Sequence, residues 1–189
     1  MYAADTDLYE AKYAEISQLF GHEVFHSFFG HKARQKETAV PPIRKMIECV
    51  ERTAREACKG ENFGKKLCLS GNITWLEDTV DVEGNRAAYM AYERRFRDKL
   101  DHFVIDKKEE NTTFTYRQLF FIARSKFWCG RQGHDEHDVI KGVADKHSPL
   151  YLRTNFVYSQ MKEFTEAFQC KSTDNQVKKN FVFFCEKSL

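Results

Sequence analysis

The stretch Gly21-His22-Glu23-Val24-Phe25-His26 constrains this chain more than any other. It is an H-E-x-x-H pattern, and it makes chemical sense only as a helix. A helix advances about 100° per residue, so positions i and i+4 stack on one face. His22 and His26 then present two imidazoles to one metal ion, with Glu23 beside them as the acid–base group of the pattern. Zinc is the metal this ligand chemistry favours. The flanking residues support the helix. Apolar side chains recur at Tyr9, Tyr13, Ile16, Phe20, Phe25 and Phe28, Asp7 and Glu10 form an N-terminal capping pair, and Gly30 is a stop.

A catalytic zinc site needs three protein ligands and one open position, so a third ligand must come from elsewhere in the chain. Glu77 is the first choice. It lies on a helical run that starts near Thr74 and carries Asp81, Ala88, Met90, Tyr92 and Phe96. Asp81, one turn on, is placed to accept the free ring N–H of a ligand histidine and so hold its tautomer. The cluster His134-Asp135-Glu136-His137-Asp138 and His147 are rivals for the ligand role. Against all of these stands a plainer reading, because charged groups of this kind usually form solvated faces.

The remaining sequence reads as mostly helical. Residues 31–40 are a polar loop, and Pro41-Pro42 opens a helix with an apolar stripe at Ile43, Met46, Ile47 and Val50 that ends near Gly60. Residues 66–70 have room for a short strand, and residues 104–112 read as a charged linker. Thr115 and Gln118 form a capping box for the apolar helix L-F-F-I-A-R-S-K-F-W-C, which stops at Gly130. Residues 150–158 read as extended, Ser159 caps a short helix, and residues 181–185 suit a terminal strand.

Composition excludes several classes. At 189 residues and 42% hydrophobic content, the chain is long and apolar enough for one ordinary domain with a core. A net charge of +2 with mixed signs gives no support for a nucleic-acid partner. No run approaches the about 18 apolar residues of a membrane span. Met1-Tyr2-Ala3-Ala4-Asp5 has neither the basic nor the apolar part of a signal peptide. Yet six cysteines, none in a C-x-x-C pair, and glycosylation sequons at Asn72 and Asn111 suit an oxidising compartment. A fragment or shortened relative of a secreted protein reconciles the two.

Five blocks carry a resemblance: H-E-V-F-H, L-E-D-T-V-D-V-E-G, Q-L-F-F-I-A-R-S-K-F-W-C-G, D-K-H-S-P-L-Y-L-R and E-F-T-E-A-F-Q-C. In this order, over about residues 19–185, they resemble the C-terminal catalytic region of the neprilysin and endothelin-converting enzyme family. The resemblance implies a mainly α fold with minor β, built on thermolysin-like zincin helices. It implies one domain over residues 1–189, equivalent to the C-terminal half of the neprilysin-type ectodomain, with the N-terminal half absent. It also implies one Zn2+ per chain, held by His22, His26 and Glu77, with Glu23 as catalytic base and Asp81 behind the ligands. His147 matches the histidine that stabilises the oxyanion, and Arg153 the arginine that grips a substrate backbone carbonyl. Cys49 matches a cysteine that pairs with one near the C-terminus, here Cys185. Cys129 and Cys170 match cysteines whose partners lie in the absent half.

The activity so implied is that of a zinc metalloendopeptidase acting on oligopeptides, with a hydrophobic residue after the cut, at the cell surface or outside the cell. An N-terminal half or a partner chain would complete it. The chain also departs from the family. Ser27-Phe28-Phe29 stands where the family usually has G-F-D, and Leu76-Glu77-Asp78-Thr79-Val80-Asp81 where it has G-E-N-I-A-D. These changes, with the absent half, keep open a second reading: a degenerate, non-catalytic member that holds zinc or binds peptides without cutting them.

Overall fold

The helical periods resolve into six α-helices and one hairpin among the residues described by the structure, a computed structural model: 8–29, 41–59, 71–106, 112–128, 146–148 and 150–171. Helix α1 is Tyr9–Phe29, α2 Pro41–Lys59 and α3 Gly71–Arg95. A 3-10 turn at Arg97–Lys99 leads into strands β1 (Phe103–Asp106) and β2 (Thr112–Thr115). Helices α4 (Tyr116–Phe127), α5 (Leu150–Ser159) and α6 (Lys162–Phe168) follow. The fold is mainly α with minor β. Helix α3 is its axis, with α1, α2, α4 and α5 all packed against it.

The buried face of α1 is not the apolar one. Ala11, Ala14, Gln18 and His22 are buried, while Ile16 and Phe20 are 69% and 68% exposed. At about 100° per residue, Tyr9, Tyr13, Ile16 and Phe20 share one side and Ala11, Ala14, Gln18 and His22 the opposite one. Small residues on the inner side let α1 approach α3 closely. In α2 the expected stripe does face inward, with Met46, Ile47 and Val50 buried beneath the proline-led start. Cys49 is buried and disulfide-bonded, and its expected partner Cys185 lies outside the described residues.

Two hydrophobic clusters hold the helices. The larger gathers Tyr89, Tyr92 and Phe96 from the α3 end, Phe120 and Phe121 of α4, Phe156 and Tyr158 of α5, and Met161. Phe121 meets Tyr158 and Phe164 edge-on, with ring centroids 5.3 Å away in both cases. Each such side chain contributes about 1.5–3 kcal/mol on full burial. The smaller cluster joins Phe29, Met46, Ile47 and Val80 beneath the other end of α3. Phe29, which stands where the family that the sequence resembles usually has a carboxylate, is therefore a core residue that ties α1 to α2.

Four local expectations need correction. Residues 104–112 do not form a linker throughout: β1 pairs antiparallel with β2, with Val104 opposite Phe114 and both buried. Alternation over four residues was hidden by the adjacent charges. Residues 150–158 are helical, not extended. Their β-branched and aromatic content favours a strand locally, but the core takes Leu152, Phe156 and Val157 from a helical face, and tertiary packing overrides propensity. Ser159 ends α5 and donates to the Phe156 carbonyl at 2.6 Å, so it does not cap α6, whose N-cap is Met161. Helix α3 also begins at Gly71, one turn before Thr74. The capping box at Thr115 and Gln118 forms as the sequence predicts. Residues 31–40, 66–70 and 181–185 lie outside the described residues. No helix among the described residues is long and apolar enough to cross a membrane.

Candidate metal centre

Helices α1 and α3 cross where Gly21 faces Gly84. A Cβ on Gly21 would stand 2.5 Å from the Gly84 carbonyl oxygen, and one on Gly84 would stand 2.7 Å from the His22 backbone nitrogen. Both neighbours are backbone atoms, so only glycine permits this approach. The residue after Gly21 is His22, and Asp81 and Glu77 precede Gly84 by about one and two turns. The crossing thus sets imidazoles of one helix against carboxylates of the other. Sequence reading missed the glycine pair. Its signal was a glycine inside each of two helices, where it costs about 1 kcal/mol relative to alanine.

His22 Nε2 and His26 Nε2 lie 3.0 Å apart. Glu77 Oε2 is 3.4 Å from the first and 3.3 Å from the second. Tetrahedral zinc with bonds of about 2.0–2.1 Å spaces its ligand atoms about 3.3–3.4 Å apart, so this triangle is of the right size. Glu77 Oε2 is also buried without a hydrogen-bond partner. A buried carboxylate oxygen left in that state is costly, and a cation answers it. The donor set, its spacing and its orphaned oxygen fit a zinc ion.

The other ring nitrogen of His22 is fixed from behind. Nδ1 lies 2.7 Å from Asp81 Oδ1, which directs Nε2 to the cluster. Asp81 is 1% exposed and receives two further bonds from Arg153, Nε to Oδ2 at 2.6 Å and Nη2 to Oδ1 at 2.9 Å. The Arg153 guanidinium stacks 3.9 Å from the Trp128 ring centroid, and fully buried Arg124 donates to the Arg153 carbonyl at 2.9 Å. Trp128 and Arg124 were not singled out in the sequence. An arginine on the apolar face of α4 was the available signal.

Burial by itself would lower the pKa of His22, but the hydrogen bond to Asp81 and the Glu77 carboxylate outweigh it and raise the value to about 9. Glu77 and Asp81 move the other way. Burial pushes both up, yet His22, His147 and His26 around Glu77, and His22 and Arg153 around Asp81, hold them below the ordinary carboxylate value. Neighbouring Asp78 is different: burial pushes it up to about 7 against the hydrogen bonds from Ser148 and Thr74. The raised imidazole and the two lowered carboxylates are one coupled cluster, in which each charge favours its opposite.

The remaining sequence candidates divide. His147 Nε2 lies 3.2 Å from Glu77 Oε2, beside the triangle. Glu23 is exposed on α1, between the two histidines. Arg153 is buried against Asp81, with two of its nitrogens engaged there. Asn72 falls in the first turn of α3. The 134–138 cluster, Asn111, Cys129 and Cys185 lie outside the described residues.

Comparison with known proteins extends the picture to the whole chain. The model of "Peptidase family M13" matches residues 2–181. Neprilysin-3 of Drosophila melanogaster is 31% identical over 169 residues, which cover 84% of this chain and 20% of that protein. Endothelin-converting enzyme 1 of Cavia porcellus is 29% identical over 172 residues, covering 82% of this chain and 21% of that one. The chain therefore spans about a fifth of the length of the curated relatives it matches. Among solved structures, the Mycobacterium tuberculosis zinc metalloprotease ZMP1 in its open state superposes with a TM-score of 0.66 at 19% identity, over 96% of this chain and 29% of that one. That likeness is one of fold. On the family model and these relatives, the chain belongs to peptidase family M13, the family of neprilysin and the endothelin-converting enzymes.

Proposed function

We propose that this chain carries the zinc site and catalytic groups of a metalloendopeptidase that hydrolyses peptide bonds of oligopeptides. The observation that supports this most is the triangle of His22 Nε2, His26 Nε2 and Glu77 Oε2 at 3.0–3.4 Å. In this reading His22, His26 and Glu77 hold zinc. When bound, zinc polarises the scissile carbonyl and lowers the pKa of a water to about 7.

The chain's own residues do the rest. Glu23 takes the proton of the attacking water and returns it to the leaving amine. His147 donates to the carbonyl oxygen as charge gathers there, an interaction worth about 3–4 kcal/mol where one such donor is lost. Asp81 holds His22 in the tautomer that leaves Nε2 free for the metal. Arg153, the expected clamp on a substrate carbonyl, also orients Asp81. Family membership further supports a cell-surface or extracellular setting, a Cys49–Cys185 bridge, and completion of the substrate chamber by a further segment or a partner chain; the sequons at Asn72 and Asn111 are where glycans would attach in that setting.

The engagement of Arg153 with Asp81 favours a second reading, in which the chain keeps zinc without cutting peptides. One experiment separates them: metal analysis coupled to a peptide-cleavage assay on wild type and Glu23→Gln. Catalysis predicts near-stoichiometric zinc in both, with turnover lower in Glu23→Gln by about 10²–10⁴-fold, the usual worth of a general base. Zinc in both proteins without cleavage in either supports the non-catalytic reading. Equal cleavage by both assigns the activity to another site.

A further inference from the structure

His147 is the one imidazole at the centre that no described helix or strand carries: residues 146–148 have no regular structure, and its side chain is 42% exposed. What holds it over Glu77 must therefore come from its neighbours. Ser148, the next residue, is buried and hydrogen-bonds the Asp78 carboxylate. Asp78 is itself buried on α3, directly after Glu77, and its Oδ2 accepts from Thr74 Oγ1 at 2.8 Å. Two consecutive residues of the segment thus meet two consecutive residues of the helix, His147 against Glu77 and Ser148 against Asp78. One contact would leave the segment free to pivot; two adjacent contacts fix its direction as well as its distance. Asp78 offers its side-chain oxygens as acceptors to both hydroxyls.

We propose that Asp78 and Ser148 form a positioning pair that locks the His147 segment to the ligand helix α3 and so aims the His147 imidazole at the reacting carbonyl. The proposal rests on the peptidase reading for its kinetic consequence and on geometry alone for its structural one, and the test reads both. In the zinc-loaded full chain, Ser148→Ala should lower kcat by about tenfold, the order expected from loss of one buried hydrogen bond, with KM and zinc content unchanged. Ser148→Thr, which keeps the hydroxyl, should restore most of it. In a His147→Ala background, Ser148→Ala should cost nothing further, because the pair acts only through His147. An equal loss in both backgrounds overturns the proposal. The second readout needs no activity: backbone hydrogen exchange at residues 146–148 should speed up in Ser148→Ala and in Asp78→Ala while the amides of α3 stay protected. Unchanged exchange in both variants overturns the proposal even if the chain cleaves nothing, and faster exchange in an inactive chain sustains the pair while failing the peptidase reading.

Discussion

At the end of α3 that carries Glu77 and Asp81, the helix meets α1 through glycine backbones, imidazoles and carboxylates. Two to three turns beyond Asp81, Tyr89 and Tyr92 of the same helix sink among the rings of Phe96, Phe120 and Phe121. The first region is held by a few directional contacts, and its dimensions are set by backbone atoms that cannot move apart without separating His22 and His26 from Glu77. The second is held by non-directional burial, spread over many rings that tilt and stack at centroid distances of 4.7–5.4 Å. One end of the helix defines a geometry, and the other supplies the stability that keeps the geometry in place.

This division predicts that the two ends respond to different probes. The largest effect on stability should come from the aromatic end. Phe120→Ala should cost about 3–5 kcal/mol in denaturant unfolding, yet the folded fraction should titrate with zinc as wild type does in competition with a chromophoric chelator. A parallel loss of zinc affinity would break the division. At the metal end, Asp81→Asn keeps one acceptor oxygen but removes the charge behind His22, and should weaken zinc binding by about 10–100-fold, the usual consequence of altering the group that orients a metal-binding histidine. It also leaves Arg153 buried against a neutral partner. Unaltered affinity in the same chelator competition would mean that Nδ1 of His22 needs no charged acceptor.

A smaller perturbation sharpens the comparison further. Gly84→Ala adds one methyl group where the nearest atoms are backbone, and it should cost about 1–3 kcal/mol as overpacking. Its distinguishing sign is a loss of zinc affinity out of proportion to that cost, because the helices must separate. Gly84→Ala binding zinc as tightly as wild type would show that the crossing relaxes without disturbing the ligands. The smallest effect belongs to the capping box. Thr115→Ala should remove about 1 kcal/mol from α4 and leave zinc binding unchanged, measured in the same two assays.

Much of the metal end was legible because it is local. Two histidines at i and i+4 on a helix must share a face, whatever the rest of the chain does. The same holds for Glu77 and Asp81, and for Thr115 with Gln118, whose reciprocal bonds close within one turn. The aromatic end was less legible. Leu152 and Phe156 sit in a run whose local propensity favours a strand, and the helix there exists because the core takes one face of it. Val104 and Phe114 were obscured by charged neighbours, since four residues of alternation are too short a pattern to stand out.

By itself, then, the order of residues determined which side chains share a face: His22 with His26, Glu77 with Asp81, Met46 with Ile47 and Val50. It left open which faces meet. From the residues alone, Glu77 competed with His147 and the 134–138 cluster for the third ligand position, and the apolar side of α1 looked as fit for burial as the side that carries His22. The packing of α1 on α3 decided the second, and it is what brings Glu77 Oε2 within 3.4 Å of both imidazole nitrogens, while the 134–138 cluster lies outside the described residues. Gly21 against Gly84 permits one close crossing, and that crossing turns Ala11, Ala14, Gln18 and His22 inward while Ile16 and Phe20 face outward. Periodicity is a property of one helix, whereas the choice of face is a property of two, made where their backbones come closest.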